Sequence, residues 1–265
     1  MYGFAYHRPT SLADLKRLLG SVDEARMLAG GQTLIPTLKQ RLASPDALID
    51  LKGIGGLAAI ERAGDALAIG ALATHAAVAA SPVVRQAIPA LARLADGIGD
   101  PQVRNRGTLG GSIANNDPAA DYPAALVGLG ASIQTSERRI AADDFFTRMF
   151  ETDLEPGEIV TAVSFPIVRR AAYVKFPNPA SRFAIVGVFV AETANGIRVA
   201  VTGAAPCVFR LRAAEQALGR AFVPEALDRL QVPAAGLNSD IHAGASYRAH
   251  LVTVIAKRAV QAALA

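Results

Sequence analysis

Apolar positions along the chain recur in some stretches at helical spacing and in others at every second residue, and the switches between the two periods predict its elements. From Ser11 to Leu19, the residues Leu12, Leu15, Leu18 and Leu19 fall on one stripe, so the spacing predicts an amphipathic helix capped by Thr10 or Ser11. Ala25 to Ala29 predicts a short buried strand that ends at a glycine pair. "TLIPTLKQRLA" predicts a helix with Pro36 in its first turn, where a missing N–H breaks no bond. "DALIDL" predicts a second strand and completes a β-turn-helix-β unit. "LAAIERAGDALAIGAL" predicts a hairpin joined through Ala63-Gly64-Asp65. Thr74 to Ala95 is alanine-rich and broken by Pro82 and Pro89, which predicts two or three short helices. Further on, a helix is expected over Ala120 to Leu129, a strand in "ASIQTS", a helical turn or two in "DDFFTRMF", and a strand in "GEIVTAVSFP".

Beyond Pro166 the pattern turns to long β-rich runs: "AAYVKF", "FAIVGVFVAET" and "IRVAVTGAA". The last two are joined at Asn195-Gly196, a dipeptide whose residues both tolerate positive φ and so favour a hairpin. Helices are expected over Arg210 to Leu218 and Ser246 to Leu264. The change of pattern places a boundary near residue 167. An α+β N-terminal domain, 1–167, is subdivided near residue 53, and 168–265 forms an antiparallel sheet with helices.

Composition narrows the function. Of 265 residues, 51% are apolar and 19% charged, the balance of a globular protein with a sizeable core. No stretch approaches ~20 uninterrupted apolar residues, so no membrane span is expected. The start "MYGFAYHRPTS" lacks an export pattern, which makes the cytoplasm the expected location. Cys207 is the one cysteine, so this chain by itself forms no disulfide and ligates no iron–sulfur cluster. The net charge of +4 is spread thinly and tryptophan is absent, which argues against nucleic-acid binding. His7, His75, His242 and His250 show no metal-ligand spacing.

Two glycine-rich turns carry the candidate chemistry. Ala29-Gly30-Gly31-Gln32-Thr33 lies where a strand stops and a helix starts, so its amides are expected to lack partners and to suit phosphate. The alternative is an ordinary turn. Thr108-Leu109-Gly110-Gly111-Ser112 is expected to expose amides in the same way, ahead of Asp121, a carboxylate able to accept from paired sugar hydroxyls. The alternative there is an asparagine-rich loop, with Asp121 capping the next helix. A third glycine match, "GIGGLA" at Gly53 to Ala58, is cut off by Gly64 and Asp65 within a hairpin and is no dinucleotide fingerprint. Lys175 is open to two readings, an outward-facing charge or a ligand-facing one, and Arg104 and Arg106 are expected to be structural.

"AGGQTLIPTLK", "RNRGTLGGSIANNDPAADYPAAL" and "YVKF" together resemble the FAD-binding medium subunits of the molybdenum hydroxylases, of the carbon monoxide dehydrogenase type, akin to xanthine dehydrogenase and aldehyde oxidase. The resemblance covers essentially the whole chain. It implies a two-part FAD-binding domain of the p-cresol methylhydroxylase/vanillyl-alcohol oxidase type, followed by a C-terminal domain of antiparallel sheet plus helices. It implies that Ala29, Gly30, Gly31, Gln32 and Thr33, with Thr108, Leu109, Gly110, Gly111 and Ser112, hold the diphosphate of FAD. Asp121 would take the hydroxyls of the adenosine end, Val160 would line the adenine side, and Ile98 would be another apolar wall. Lys175 would lie near the flavin ring, and Phe183 falls where relatives with a tyrosine shield one ring face. FAD would be noncovalent, since Gln32 stands where covalent cousins carry His or Cys.

The resemblance also implies partners: a small subunit with [2Fe-2S] clusters and a large subunit with molybdopterin-bound molybdenum, in a heterotrimer or its dimer. No side chain of this chain would act as acid or base and none would bind metal. Two other readings stay open at this point, a stand-alone flavin oxidoreductase of the same fold and a scaffold subunit without flavin.

Overall fold

A computed structural model describes all 265 residues, Met1 to Ala265. Its first unit comprises β1 (Ala5–His7), α1 (Leu12–Leu19), β2 (Ala25–Leu28), α2 (Leu34–Lys39) and β3 (Ala47–Asp50). The three strands form a sheet in the order β1-β3-β2 with both pairs parallel, so the expected β-turn-helix-β unit is present. Strand β1 escaped the sequence reading because three residues carry no usable period. The Ser11 hydroxyl caps α1 by accepting from the Asp14 amide at 3.1 Å, and Pro36 is the third residue of α2.

The second unit opens with the hairpin β4 (Ile60–Ala63) and β5 (Ala66–Gly70). Three short helices follow, α3 (His75–Ala80), α4 (Pro82–Ala87) and α5 (Pro89–Asp96), and the last two start on the prolines that end their predecessors. Next come α6 (Pro101–Arg104), α7 (Leu109–Asn115), α8 (Tyr122–Leu129), β6 (Ser132–Thr135), β7 (Arg139–Ala141) and α9 (Ala142–Phe145). A two-stranded ribbon, β8 (Phe146–Arg148) with β9 (Glu151–Thr152), precedes β10 (Val160–Pro166). Strand β10 returns between β5 and β6, giving an antiparallel sheet in the order β4-β5-β10-β6-β7.

The third unit is the antiparallel sheet β11 (Arg170–Pro177), β12 (Ala184–Thr193), β13 (Gly196–Thr202) and β14 (Phe209–Arg210), with α10 (Arg212–Arg220) and α11 (Ala245–Leu264). Thr193 pairs with Gly196, so the β12–β13 loop is Ala194-Asn195, one residue earlier than expected, and Gly196 takes the positive φ. No helix is long and apolar enough to cross a membrane.

Helix α8 joins the second and third units. All eight of its residues are buried, and its core cluster also holds Phe189, Ala191, Ala200 and Val208 of the C-terminal half. The hydrophobic core therefore runs on past residue 167, where the topology changes. Gly128 is what lets α8 approach β12, since a Cβ there would lie 2.7 Å from the Phe189 ring. Gly128→Ala should lower stability by about 1–3 kcal/mol in urea unfolding, because the packed ring cannot retreat. Gly219→Ala, in α10 with open space around its Cβ, should raise stability by about 0.5–1 kcal/mol in the same measurement.

Candidate functional site

The first glycine turn joins β2 to α2. Gly31 adopts φ +75°, and Thr33, at the helix N-cap, makes no side-chain capping bond. As a result the backbone N–H groups of Gly30, Gly31, Gln32, Thr33 and Leu34 donate to no acceptor in the chain. A run of adjacent free amides at a strand-to-helix turn makes a ready anion cradle. The turn rests on the segment before the second one: a Cβ at Gly30 would lie 2.2 Å from the Arg106 oxygen and 2.8 Å from the Gly107 Cα. A Cβ at Gly111 would in turn meet that of Ala29 at 3.6 Å. The two turns therefore converge.

The second turn differs from expectation. Residues 109–115 are helical, with Thr108 at the N-cap, and the amides are already bonded. Leu109 and Gly110 donate to the Ala73 and Ala71 oxygens at 3.0 and 2.8 Å, Gly111 to Thr108 Oγ1 at 3.1 Å and Ser112 to the Thr108 oxygen at 3.0 Å. Gly110 is a packing glycine, since a Cβ would lie 2.5 Å from the Ala71 Cβ. What this turn presents toward Ala29 is thus a close, Cβ-free surface at Gly111, where an exposed amide cradle was expected. Val160 lies nearby through the Ala71 amide, which donates to the Thr161 oxygen at 2.9 Å, but its own side chain is buried in the core.

A second cluster forms around Lys175. Its ammonium donates to the Gly97 oxygen at 3.0 Å, the Arg182 oxygen at 2.8 Å and Asp121 Oδ2 at 3.0 Å. The lysine is neither outward-facing nor free, because all three protons are engaged. Asp121 makes no helix cap and accepts a further hydrogen bond from the Tyr173 hydroxyl. Burial pushes the Asp121 carboxyl up, while Lys175 and Tyr173 pull it back. Burial, and then Asp121, raise the Tyr173 hydroxyl well above the usual tyrosine range, so it serves as a proton donor in this bond.

Asp121 and Lys175 were expected at opposite ends of a long ligand. In the fold their side chains lie 3.0 Å apart. Ile98 is next to Gly97, and Phe183 follows Arg182, so their backbones adjoin the same ammonium. The Phe183 ring, however, lines a separate cavity of about 410 Å³ with Met149, Phe150 and His242, which holds none of the other expected site residues. Tyr173 was missed, although it lies two residues from Lys175 on one strand and so shares its face. A Cβ at Gly187 would lie 2.3 Å from the Tyr173 hydroxyl, so that glycine gives the ring its room. Of the arginines, Arg104 donates to the Ile98 and Gly99 oxygens, as expected of a structural residue.

His75 backs the second turn: a Cβ at Gly107 would lie 2.6 Å from its Nε2, and its ring centroid is 5.3 Å from that of Tyr122. Its Nδ1 and the Tyr122 hydroxyl are buried without protein partners.

This geometry is that of an α+β protein with a run of free amides at a strand-to-helix turn, suited to an anion, and a separate charged cluster around Lys175. The family described as "FAD binding domain in molybdopterin dehydrogenase" matches residues 2–168, and this chain belongs to it. FAD is the cofactor of that family, and the turn of free amides fits its phosphates. The nicotine 6-hydroxylase medium subunit of Paenarthrobacter nicotinovorans is 35% identical over 96% of this chain and 95% of its own. The carbon monoxide dehydrogenase medium chain of Hydrogenophaga pseudoflava is 34% identical over 99% and 97%. Among solved structures, the cyanide-inactivated Cu,Mo-CO dehydrogenase matches with a TM-score of 0.91 at 34% identity, over 99% of this chain and 98% of that one. Quinoline 2-oxidoreductase from Pseudomonas putida 86 matches with 0.90 at 28% identity, over 99% and 97%.

Burial, with the Arg104 charge as a smaller cause, lowers the His75 pKa from 6.5 to about 4. The unfolded chain therefore binds a proton that the folded chain refuses, and stability falls as pH drops below 6.5 toward 4. At pH 4.5 this deficit is on the order of 2 kcal/mol. Urea midpoints at pH 7 and 4.5 check it: His75→Gln should lose less stability over that interval than the native chain, by about that amount. Equal losses would remove His75 as the acid-sensitive group.

Proposed function

We propose that this chain is the FAD-carrying electron-transfer subunit of a heterotrimeric molybdenum hydroxylase. Its partners are a small subunit with [2Fe-2S] clusters and a large subunit with molybdopterin-bound molybdenum, the trimer standing alone or paired. The observation that carries this reading is the row of free amides from Gly30 to Leu34, seated against the second glycine turn. The near full-length likeness to medium subunits supports it.

Bound noncovalently, FAD supplies electron exchange, singly or in pairs, between the partner's clusters and an external acceptor. The chain's own residues bind and orient it. Gly30, Gly31, Gln32 and Thr33 offer amides to the diphosphate, with Ala29 and the Thr108–Ser112 turn closing the far side of the cradle. Val160 backs that turn from the core. Lys175 and Phe183 belong to the flavin end by resemblance. Asp121, given the adenosine end by the same resemblance, is paired with Lys175 at 3.0 Å, with Ile98 next to Gly97 at the same ammonium. There the Lys175 charge, balanced by Asp121, adds a modest positive field. The protein supplies geometry and electrostatics, and no side chain has to move a proton.

The purified chain should be yellow and should release free FAD on acid denaturation; a colourless protein that ignores added FAD would overturn the reading. Gln32→Glu places a carboxylate at the mouth of the amide cradle, on an exposed residue. It should weaken FAD binding about tenfold, which is about 1.4 kcal/mol. Titration by flavin fluorescence measures this, with an unchanged melting temperature of the flavin-free chain as the control. Copurification with the products of neighbouring reading frames tests the partners, which should include a cluster-bearing small chain and a molybdenum-bearing large one.

A further inference from the structure

The turn between α5 and α6 reads Gly97-Ile98-Gly99, an apolar residue set between two glycines. Glycines on both sides leave the backbone free to take many shapes, and Gly99 adopts φ +52°. Three cationic side chains from separate parts of the chain fix it. Lys175 Nζ donates to the Gly97 oxygen at 3.0 Å, Arg104 Nη1 to the Ile98 and Gly99 oxygens at 3.1 and 3.2 Å, and Arg182 Nη1 to the Gly99 oxygen at 3.3 Å. Three successive carbonyls thus face positive charge. Lys175 also donates to the Arg182 oxygen at 2.8 Å, which ties the β11–β12 loop to the same point. Two carboxylates answer these charges, Asp121 at 3.0 Å from Lys175 and the exposed Asp96 at 3.8 Å from Arg104.

We propose that Lys175, Arg104 and Arg182 are positioning residues that clamp the Gly97-Ile98-Gly99 turn, so that Ile98 is held as a wall of the nucleotide site and FAD leaves only when the clamp opens. The role of Ile98 in this inference rests on the nucleotide reading above. Carbonyls suit a clamp that must release. They are neutral, so an opened contact leaves no buried anion, while the Asp121 bond keeps Lys175 in place. Two of the three clamp residues come from β11 and the loop after it, so the C-terminal half would govern how long the N-terminal half keeps its ligand.

Arg182 gives the cleanest test, because its side chain is exposed and its guanidinium bonds Gly99. Removing Lys175 or Arg104 would strand Asp121 or two carbonyls instead. In the flavin-loaded chain, Arg182→Ala should speed FAD release three- to tenfold, and Arg182→Lys should restore most of the native rate. In an Ile98→Ala background, Arg182→Ala should have little further effect, because its action passes through Ile98. In the flavin-free chain, hydrogen exchange at residues 97–99 should rise in Arg182→Ala and nowhere else outside the β11–β12 loop. Native release rates, or an Arg182 effect that multiplies fully with that of Ile98→Ala, would overturn the clamp. A native chain that binds no FAD would overturn the functional reading, and the exchange measurement would still decide the clamp.

Discussion

The site depends on one contact between two stretches of main chain, Gly30 against Arg106-Gly107. Backbone can approach backbone this closely only where no Cβ intervenes, and at Gly30 the added carbon would sit 2.2 Å from a carbonyl oxygen. That contact brings the β2–α2 turn and the start of α7 together from positions far apart in sequence. It also leaves the amides from Gly30 onward facing away from the protein's own acceptors. Geometry that would be wasteful in a buried turn is useful where a phosphate can complete it.

The second glycine pair works differently from the first. Gly110 and Gly111 sit in the opening turn of a helix whose amides are bonded to Ala71, Ala73 and Thr108. Their contribution is thinness. Gly110 lets α7 lie on Ala71 and so on the five-stranded sheet, and Gly111 leaves space beside Ala29. Similar dipeptides thus serve two ends, one conformational and one steric, and the neighbouring acceptors determine which.

Helix α8 couples this cradle to the rest of the molecule. It begins at Asp121 and Tyr122, runs buried between two sheets, and packs Gly128 on Phe189. The charged cluster is assembled across that helix: Asp121 comes from its start, while Tyr173, Lys175 and Arg182 come from the C-terminal sheet and its loop. Charges there are met largely by backbone carbonyls, which leaves the cluster net positive. The N-terminal unit provides the cradle, while the charged cluster depends on the C-terminal unit.

Much was legible in the sequence because it follows from local rules. The Leu12 to Leu19 stripe, the prolines that start α4 and α5, the two hairpins and the long β-runs after Pro166 each carry their own period or turn signal. The two glycine turns could be picked out because glycine pairs beside strand and helix boundaries are conspicuous, and three motifs together sufficed to place the family. Tertiary packing decided the rest. Whether an amide is free depends on an acceptor such as Ala71 that lies far away in the chain, so no local reading could separate the first turn from the second. Only the fold set Lys175 within hydrogen-bonding distance of Asp121. The sequence determined which residues could bind a nucleotide. The packing of distant segments decided which of their atoms were left free to do so, because a hydrogen bond is settled by distance in space.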